Sequence, residues 1–178
     1  MDPSETGAQP ETADPATTRT TTVGVVGVGA TGARTARQLA AATDVDRVLL
    51  AGTGSRPRAV ADSLGEDVAV VNPAADPHRI FDHHPDVVVL AGPVGTHVAT
   101  AQAAIARGVH VVSTSDGIDD VQGLLGLASM AEANGVSVTA GAAFGPGLSC
   151  VLAAHVAGWM DAVTEIHVSR VGTGGPAC

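Results

Sequence analysis

Lysine and tyrosine are absent from this 178-residue chain, and aromatic residues make up only 2% of it. Without lysine the chain lacks a common proton-transfer and Schiff-base group, so any mechanism must use other side chains. Its positive charge comes from nine scattered arginines against 18 acidic residues, which gives a net charge of −9. Because no basic cluster is present to neutralise consecutive phosphates, we expect no nucleic-acid partner.

Cysteines and long apolar runs are also scarce. The two cysteines, Cys150 and Cys178, have the spacing of neither a metal site nor a disulfide framework, and the seven histidines show no ligand spacing, so no metal is expected. No run of about 18 apolar residues indicates a transmembrane helix. Residues 1–21 are rich in Thr, Pro and acids and do not resemble a signal peptide. We therefore predict a disordered tail over residues 1–21, no membrane association and a cytoplasmic location.

Hydrophobic residues are plentiful (45%), and they occur as short Val-rich runs that alternate with Ala-rich segments. Six of these runs are predicted as buried strands. They are Val23–Val28, Arg47–Ala51, Asp67–Val71, Asp86–Ala91, Val109–Val112 and Val136–Thr139. Strands that alternate with helices form βαβ units, so residues 22–140 are predicted to be an α/β domain with a doubly wound parallel sheet, the Rossmann fold.

The segments between the strands carry apolar residues at helical spacing. The strongest predicted helices are Thr31–Ala42, Thr96–Arg107 and Ile118–Asn134, and the weaker ones are Pro57–Leu64 and Asp76–Phe81. In the third of these, Leu124 and Leu125 are both predicted to face the core.

Residues 141–178 do not continue the alternation of Val-rich and Ala-rich segments. A Gly-rich loop over residues 141–147 is followed by a predicted helix from Leu148 to about Gly158 and an alternating strand, Val163–Val171. We interpret this region as the linker, helix and first strand of an incomplete α+β substrate domain, in which the chain stops. An exposed strand around Ile166 and Val168 would favour a homo-oligomer.

A glycine-rich turn, Gly27-Val28-Gly29-Ala30-Thr31-Gly32, follows the first predicted strand and opens the first helix. In this context a G-x-G-x-x-G pattern is typical of dinucleotide binding. Gly27 permits the tight turn, Gly29 lets a pyrophosphate approach the backbone, and Gly32 lets the helix lie close to the strand. We predict that Gly27, Gly29, Ala30, Thr31 and Gly32 bind a nicotinamide dinucleotide at the helix N-terminus. A purely structural turn is the alternative.

The end of the second strand distinguishes the two nicotinamide cofactors. An acidic residue there would bind the ribose 2′-hydroxyl of NAD, but residues 51–58 contain none. Ser55, Arg56 and Arg58 are suited to a 2′-phosphate instead. NADP is therefore predicted ahead of NAD, although the arginines could simply be solvated.

The loops after the fourth and fifth strands complete the predicted site. Gly92 and Pro93 are expected near the nicotinamide ribose, and Ser113 beside the nicotinamide. His97 is either a group that titrates near the substrate or, as we favour, an ordinary surface residue. Asp116 either contacts substrate or, as we favour, caps the helix that begins at Ile118. No catalytic residue is assigned.

With these residues in place, the chain from about Val23 to Val171 resembles the NADP-binding half of saccharopine-dehydrogenase-like oxidoreductases. It is also similar to diaminopentanoate dehydrogenase and dihydrodipicolinate reductase. The more specific segments are Gly108–Val112 leading into Ser113–Asp116, and Ala143–Leu148 opening the next helix. The resemblance implies an NAD(P)-dependent oxidoreductase that acts on the C–N bond of an amino or imino acid.

Two alternatives stay open. The glucose-fructose oxidoreductase and inositol dehydrogenase family, whose members act on sugars and polyols, shares the early pattern. Its usual Glu-Lys-Pro after the fifth strand is absent here, which ranks it second. A non-catalytic nucleotide-sensing or interaction module is the other alternative, favoured by the absence of lysine and of a complete substrate domain.

Overall fold

A computed structural model of the chain describes residues 21–71, 77–145 and 147–169. These residues form one six-stranded sheet with the strand order β3-β2-β1-β4-β5-β6, and every neighbouring pair is parallel. The strands are β1 Thr22–Val26, β2 Arg47–Ala51, β3 Val68–Val71, β4 Val87–Leu90, β5 His110–Ser113 and β6 Val138–Thr139. This order confirms the doubly wound α/β fold, built from two halves that meet between β1 and β4.

Helices cover both faces of the sheet. They are α1 Ala30–Ala40, α2 Arg56–Asp62, α3 His97–Ile105, α4 Ile118–Leu125, α5 Ala128–Ala133 and α6 Leu148–Ala157, with a 3-10 helix at Pro77–His83. Successive side chains of a strand point to opposite faces, so Leu50 packs in the cluster under α1 and α2. Its neighbour Leu49 packs on the other face with Ile80 of the 3-10 helix and Ile105 of α3.

The predicted helix Ile118–Asn134 is in fact two helices. α4 ends at Leu125, its C-cap residue Gly126 donates its N–H to the carbonyl oxygen of Gln122, and α5 begins after Leu127. The break turns Leu127, which is 8% exposed, into the core beside Leu124. Leu125 is 65% exposed, so its predicted inward position is wrong: the core lies on the Leu124 side of α4.

The predicted seventh strand is also wrong over the part that the structure describes. Residues 163–169 have no strand conformation, and no strand of the sheet lies beside them to complete a hydrogen-bond ladder. Residues 170 and 171 lie outside the described residues, as do residues 1–20 of the predicted tail.

Helix α6 has no buried residue, although most of its side chains are apolar. Leu148, Val151 and Leu152 are 49%, 65% and 50% exposed, and Trp159 just beyond the helix is 74% exposed. A helix that is apolar on all sides is typical of a buried element. The homo-oligomer and the domain boundary at residue 140 stay predictions. Among the described residues, no helix is both long enough and apolar enough to span a membrane.

Adjacent leucines of α4 test this packing. Leu124→Ala should lower the free energy of unfolding by about 2–5 kcal/mol, because it leaves a cavity between α4 and the sheet. Leu125→Ala is the matched control and should change it by no more than about 0.5 kcal/mol. Urea unfolding followed by circular dichroism measures both, and similar losses would contradict the placement of α4.

Candidate functional site

The strand order reverses between β1 and β4, and in such sheets ligands bind outside the carboxyl ends of the strands at this reversal. The loop after β1 and the loop after β4 are in direct contact there. A Cβ atom on Gly27 would overlap the backbone of Ala91 and Gly92, and Gly27 has a φ of +94°, which favours glycine. The glycine turn is therefore seated against the end of β4.

The other two glycines of the turn differ sharply in their surroundings. A Cβ on Gly32 would overlap the carbonyl oxygen of Gly27, so α1 lies closer to the turn than a side chain at this position would allow. A Cβ on Gly29 would meet nothing within 4 Å, because Gly29 borders open space. Gly29 is also the N-cap of α1 and supplies no side-chain cap.

The first-turn N–H groups of α1, at Ala30, Thr31 and Gly32, have no partners within their own helix, and they carry the positive end of its dipole. Open space beside bare N–H groups fits an anion such as a pyrophosphate. Of the five residues predicted around the pyrophosphate, Gly29, Ala30 and Thr31 are exposed and Gly32 is buried.

The end of β2 presents the residues predicted to distinguish the cofactors. Ser55 is the N-cap of α2, without a side-chain cap hydrogen bond, and Ser55 and Arg56 are exposed. Arg58 forms an ion pair with Asp62, with its Nε 3.1 Å from Oδ1. Both of these side chains are mostly exposed, and such surface pairs contribute little, so a phosphate could compete for Arg58.

His97 is the clearest correction to the sequence interpretation. It is buried, at 2% exposed, not a surface residue. Its Nδ1 lies 2.8 Å from Ser113 Oγ, and its Nε2 lies 3.1 Å from the carbonyl oxygen of Gly92. Because a carbonyl oxygen only accepts, Nε2 carries a hydrogen and donates it to Gly92. Ser113 is fully buried, so its side chain is not open to a ligand. It supports the loop after β4 through its hydrogen bond with His97.

Asp120, which the sequence analysis did not single out, is the other buried polar group of the site. It is 1% exposed, and its Oδ2 accepts hydrogen bonds from the Ser115 hydroxyl at 2.7 Å and the Gly95 N–H at 2.8 Å. Burial alone would raise the pKa of this carboxyl group. The bonds from Gly95 and Ser115 and the charge of His97 outweigh it, so the pKa is lower than usual.

Asp116 does not cap α4. The N-cap is Gly117, and no side chain makes a capping bond to it. The Gly117 N–H instead donates to Ser115 Oγ at 3.2 Å. Asp116 is exposed at the end of β5, where it is available to a ligand.

Helical spacing was the available signal for His97. The buried residues of α3 include Ala101 and Ile105 at four-residue intervals, and His97 is the preceding member of that series. No comparable signal existed for Asp120, because its partner Gly95 lies 25 residues earlier in the chain. Only the fold brings the two together.

A family model described as "Oxidoreductase family, NAD-binding Rossmann fold" (GFO/IDH/MocA) matches residues 21–141. The chain belongs to this family. The matched span holds all six strands and each loop described above. It is the glucose-fructose oxidoreductase and inositol dehydrogenase family that the sequence analysis ranked second, and the comparisons do not support the saccharopine-dehydrogenase-like assignment. No curated protein sequence matches the chain.

Solved structures agree with the family's fold. UDP-N-acetylglucosamine 3-dehydrogenase from Acidithiobacillus ferrooxidans is 25% identical, with a TM-score of 0.53 over 66% of this chain and 37% of that one. Biliverdin reductase from Synechocystis, in complex with biliverdin and NADP+, is 23% identical, with a TM-score of 0.55 over 66% of this chain and 37% of that one. Scyllo-inositol dehydrogenase from Lactobacillus casei, with NAD(H) and scyllo-inositol, is 21% identical, with a TM-score of 0.53 over 64% of this chain and 34% of that one. The chain thus spans little more than a third of these proteins.

Asp120→Asn tests the electrostatics of this family member. We expect the free energy of unfolding at neutral pH to fall by about 2 kcal/mol, because hydrogen bonds to a charged acceptor are lost. Since the folded-state pKa is lowered, the carboxylate's contribution is complete above the unfolded pKa of about 3.9. It disappears as the pH falls through the folded-state value.

Urea unfolding of both proteins from neutral pH to about pH 3 measures the effect, and the difference between them should narrow on the acid side. Asp119→Asn is the control, because Asp119 lies in the same helical turn but is exposed. A difference that stays constant with pH would show that the charge of Asp120 is not responsible.

Proposed function

We propose that this chain is the cofactor-binding part of an NADP-dependent dehydrogenase that acts on a hydroxyl group of a sugar or polyol. The observation that carries the proposal is the open space at Gly29, bordered by the first-turn N–H groups of α1. These N–H groups have no partner within the helix, and a pyrophosphate would accept hydrogen bonds from them. When bound, a nicotinamide cofactor accepts or releases a hydride, and the protein supplies position and electrostatics.

The choice of NADP depends on the end of β2. Residues 51–58 contain no carboxylate to bind a ribose 2′-hydroxyl, whereas Ser55 and Arg56 are exposed and Arg58 is close by in the sequence. A 2′-phosphate would find two guanidinium groups and a hydroxyl. Solved relatives of both kinds are known, since one holds NADP+ and another NAD(H).

The substrate class is drawn from the family. Its solved relatives include dehydrogenases of UDP-N-acetylglucosamine and of scyllo-inositol, which favours a hydroxylated substrate over an amino or imino acid. Oxidation of an alcohol releases a proton together with the hydride, so a base is needed. Residues 114–116 after β5 include no lysine or histidine, and Ser115 is held by Asp120. Asp116, exposed and not engaged in capping, is the candidate of this loop for contacting the substrate.

A non-catalytic nucleotide-binding module is the second candidate. It is favoured by the absence of lysine and by the hydrogen bond that occupies Ser115. Both candidates predict that the reduced cofactor binds. Only the dehydrogenase predicts hydride transfer from a sugar or polyol to NADP+ in the full-length protein, whereas the module binds the cofactor without any transfer.

Gly29→Ala separates cofactor binding from folding. Gly29 has a φ of −75°, which alanine adopts readily, and a Cβ there meets no protein atom within 4 Å. We expect an unchanged melting temperature but an affinity for NADPH reduced by roughly tenfold or more, because the methyl group enters the space of the pyrophosphate. Calorimetric titration measures the affinity. Gly158→Ala, exposed at the end of α6, is the control, and normal binding by Gly29→Ala would contradict the proposal.

Arg56→Ala tests the cofactor preference. The wild-type chain should bind NADPH more tightly than NADH. The substitution should lower the affinity for NADPH by roughly tenfold and leave that for NADH nearly unchanged, because only NADPH carries the 2′-phosphate. Arg79→Ala removes an exposed arginine from the 3-10 helix, away from β2, and should affect neither. Tighter binding of NADH by the wild-type chain would reject NADP.

A further inference from the structure

The loop from Gly92 to Thr96, between β4 and α3, lies on the side of the glycine turn opposite to Ser55 and Arg56. β4 and β2 flank β1 on either side, so a dinucleotide with its adenine half beside β2 has its nicotinamide half beside β4. This loop, which we call the β4 loop, therefore borders the reactive end of the cofactor.

The β4 loop is held at both ends from beneath. At its start, the Gly92 carbonyl accepts the hydrogen bond from His97 Nε2, and at its end the Gly95 N–H donates to Asp120 Oδ2. Gly95 has a φ of +87°, so this amide points at the carboxylate only in a backbone conformation that glycine permits. The Thr96 hydroxyl closes the turn by donating to the Pro93 carbonyl at 2.7 Å.

Asp120 is at a position from which an acidic side chain ordinarily forms a capping hydrogen bond with its own helix. At the third position of α4 it would be expected to accept the N–H of the N-cap residue Gly117. That N–H goes to Ser115 instead, and the carboxylate reaches a loop 25 residues earlier in the chain. A carboxylate that is 1% exposed needs such partners, and here one of them belongs to the β4 loop.

We propose that Asp120 is a positioning residue for the nicotinamide half of the cofactor, acting through the Gly95 N–H to hold the β4 loop against the nicotinamide ribose. The proposal rests on the proposed function. Asp120 itself does not touch the cofactor, because it lies beneath the loop. Ser115 links Asp120 to the β5 end, so the loops after β4 and β5 are held by the same carboxylate oxygen.

The test compares the whole cofactor with a fragment that lacks nicotinamide. The 178-residue chain and its Asp120→Asn variant are titrated with NADPH and with 2′-phospho-ADP-ribose. Asp120→Asn should weaken NADPH binding roughly tenfold and fragment binding by less than about twofold, because the adenine and pyrophosphate contacts are unchanged. The change in reduced-nicotinamide fluorescence on binding should also be smaller in the variant, which a merely structural role would not produce.

Equal weakening of both ligands in a folded variant, or no weakening of either, overturns the proposal. Failure of the wild-type chain to bind either ligand overturns the proposed function instead. If Asp120→Asn does not fold, Ser115→Ala is used: it removes one of the two donors to Oδ2, and a selective loss for NADPH is again expected. Asp119→Asn should behave as wild type with both ligands.

Discussion

No Cβ atom fits where the glycine turn, the start of α1 and the end of β4 meet, and the rest of the site depends on this backbone packing. Gly27 is seated against Ala91 and Gly92, and Gly32 against the carbonyl of Gly27. This close approach aims the N-terminus of α1 at the reversal point of the sheet. It leaves Gly29 at the edge of open space, where bare N–H groups favour an anion.

A second constraint is the buried polar network beneath the loops after β4 and β5. In a core built of Val, Leu and Ala, three polar side chains, His97, Ser113 and Asp120, are each at most 2% exposed. Among the described residues, no buried side-chain nitrogen or oxygen is left without a hydrogen-bond partner. Fully satisfied networks of this kind specify one arrangement, because any other leaves a polar group unpaired in a medium of low polarity. The network therefore supports loops that need a defined shape.

The three residues directly after β5 are Thr114, Ser115 and Asp116, so this loop carries no lysine. Ser115 is engaged with Asp120, and Asp116 is exposed. The apolar surface of α6 lies beyond the matched residues. The packing around the glycine turn thus accounts for neither the exposed carboxylate of Asp116 nor the apolar surface of α6.

The sequence by itself determined the sheet, the order of its elements and the glycine turn, because strand and helix periodicity and the residues that a tight turn requires are local properties. It also located Ser55 and Arg56 at the end of β2. Tertiary structure alone decided that Leu125 faces outward and that Asp120 bonds to Gly95, whereas the burial of His97 was readable from its helical spacing with Ala101 and Ile105. Those outcomes depend on which elements pack together across long separations in the chain. The single helix over Ile118–Asn134 and the strand over Val163–Val171 were wrong for the same reason: core geometry broke the first, and the second has no neighbouring strand in the described part of the chain.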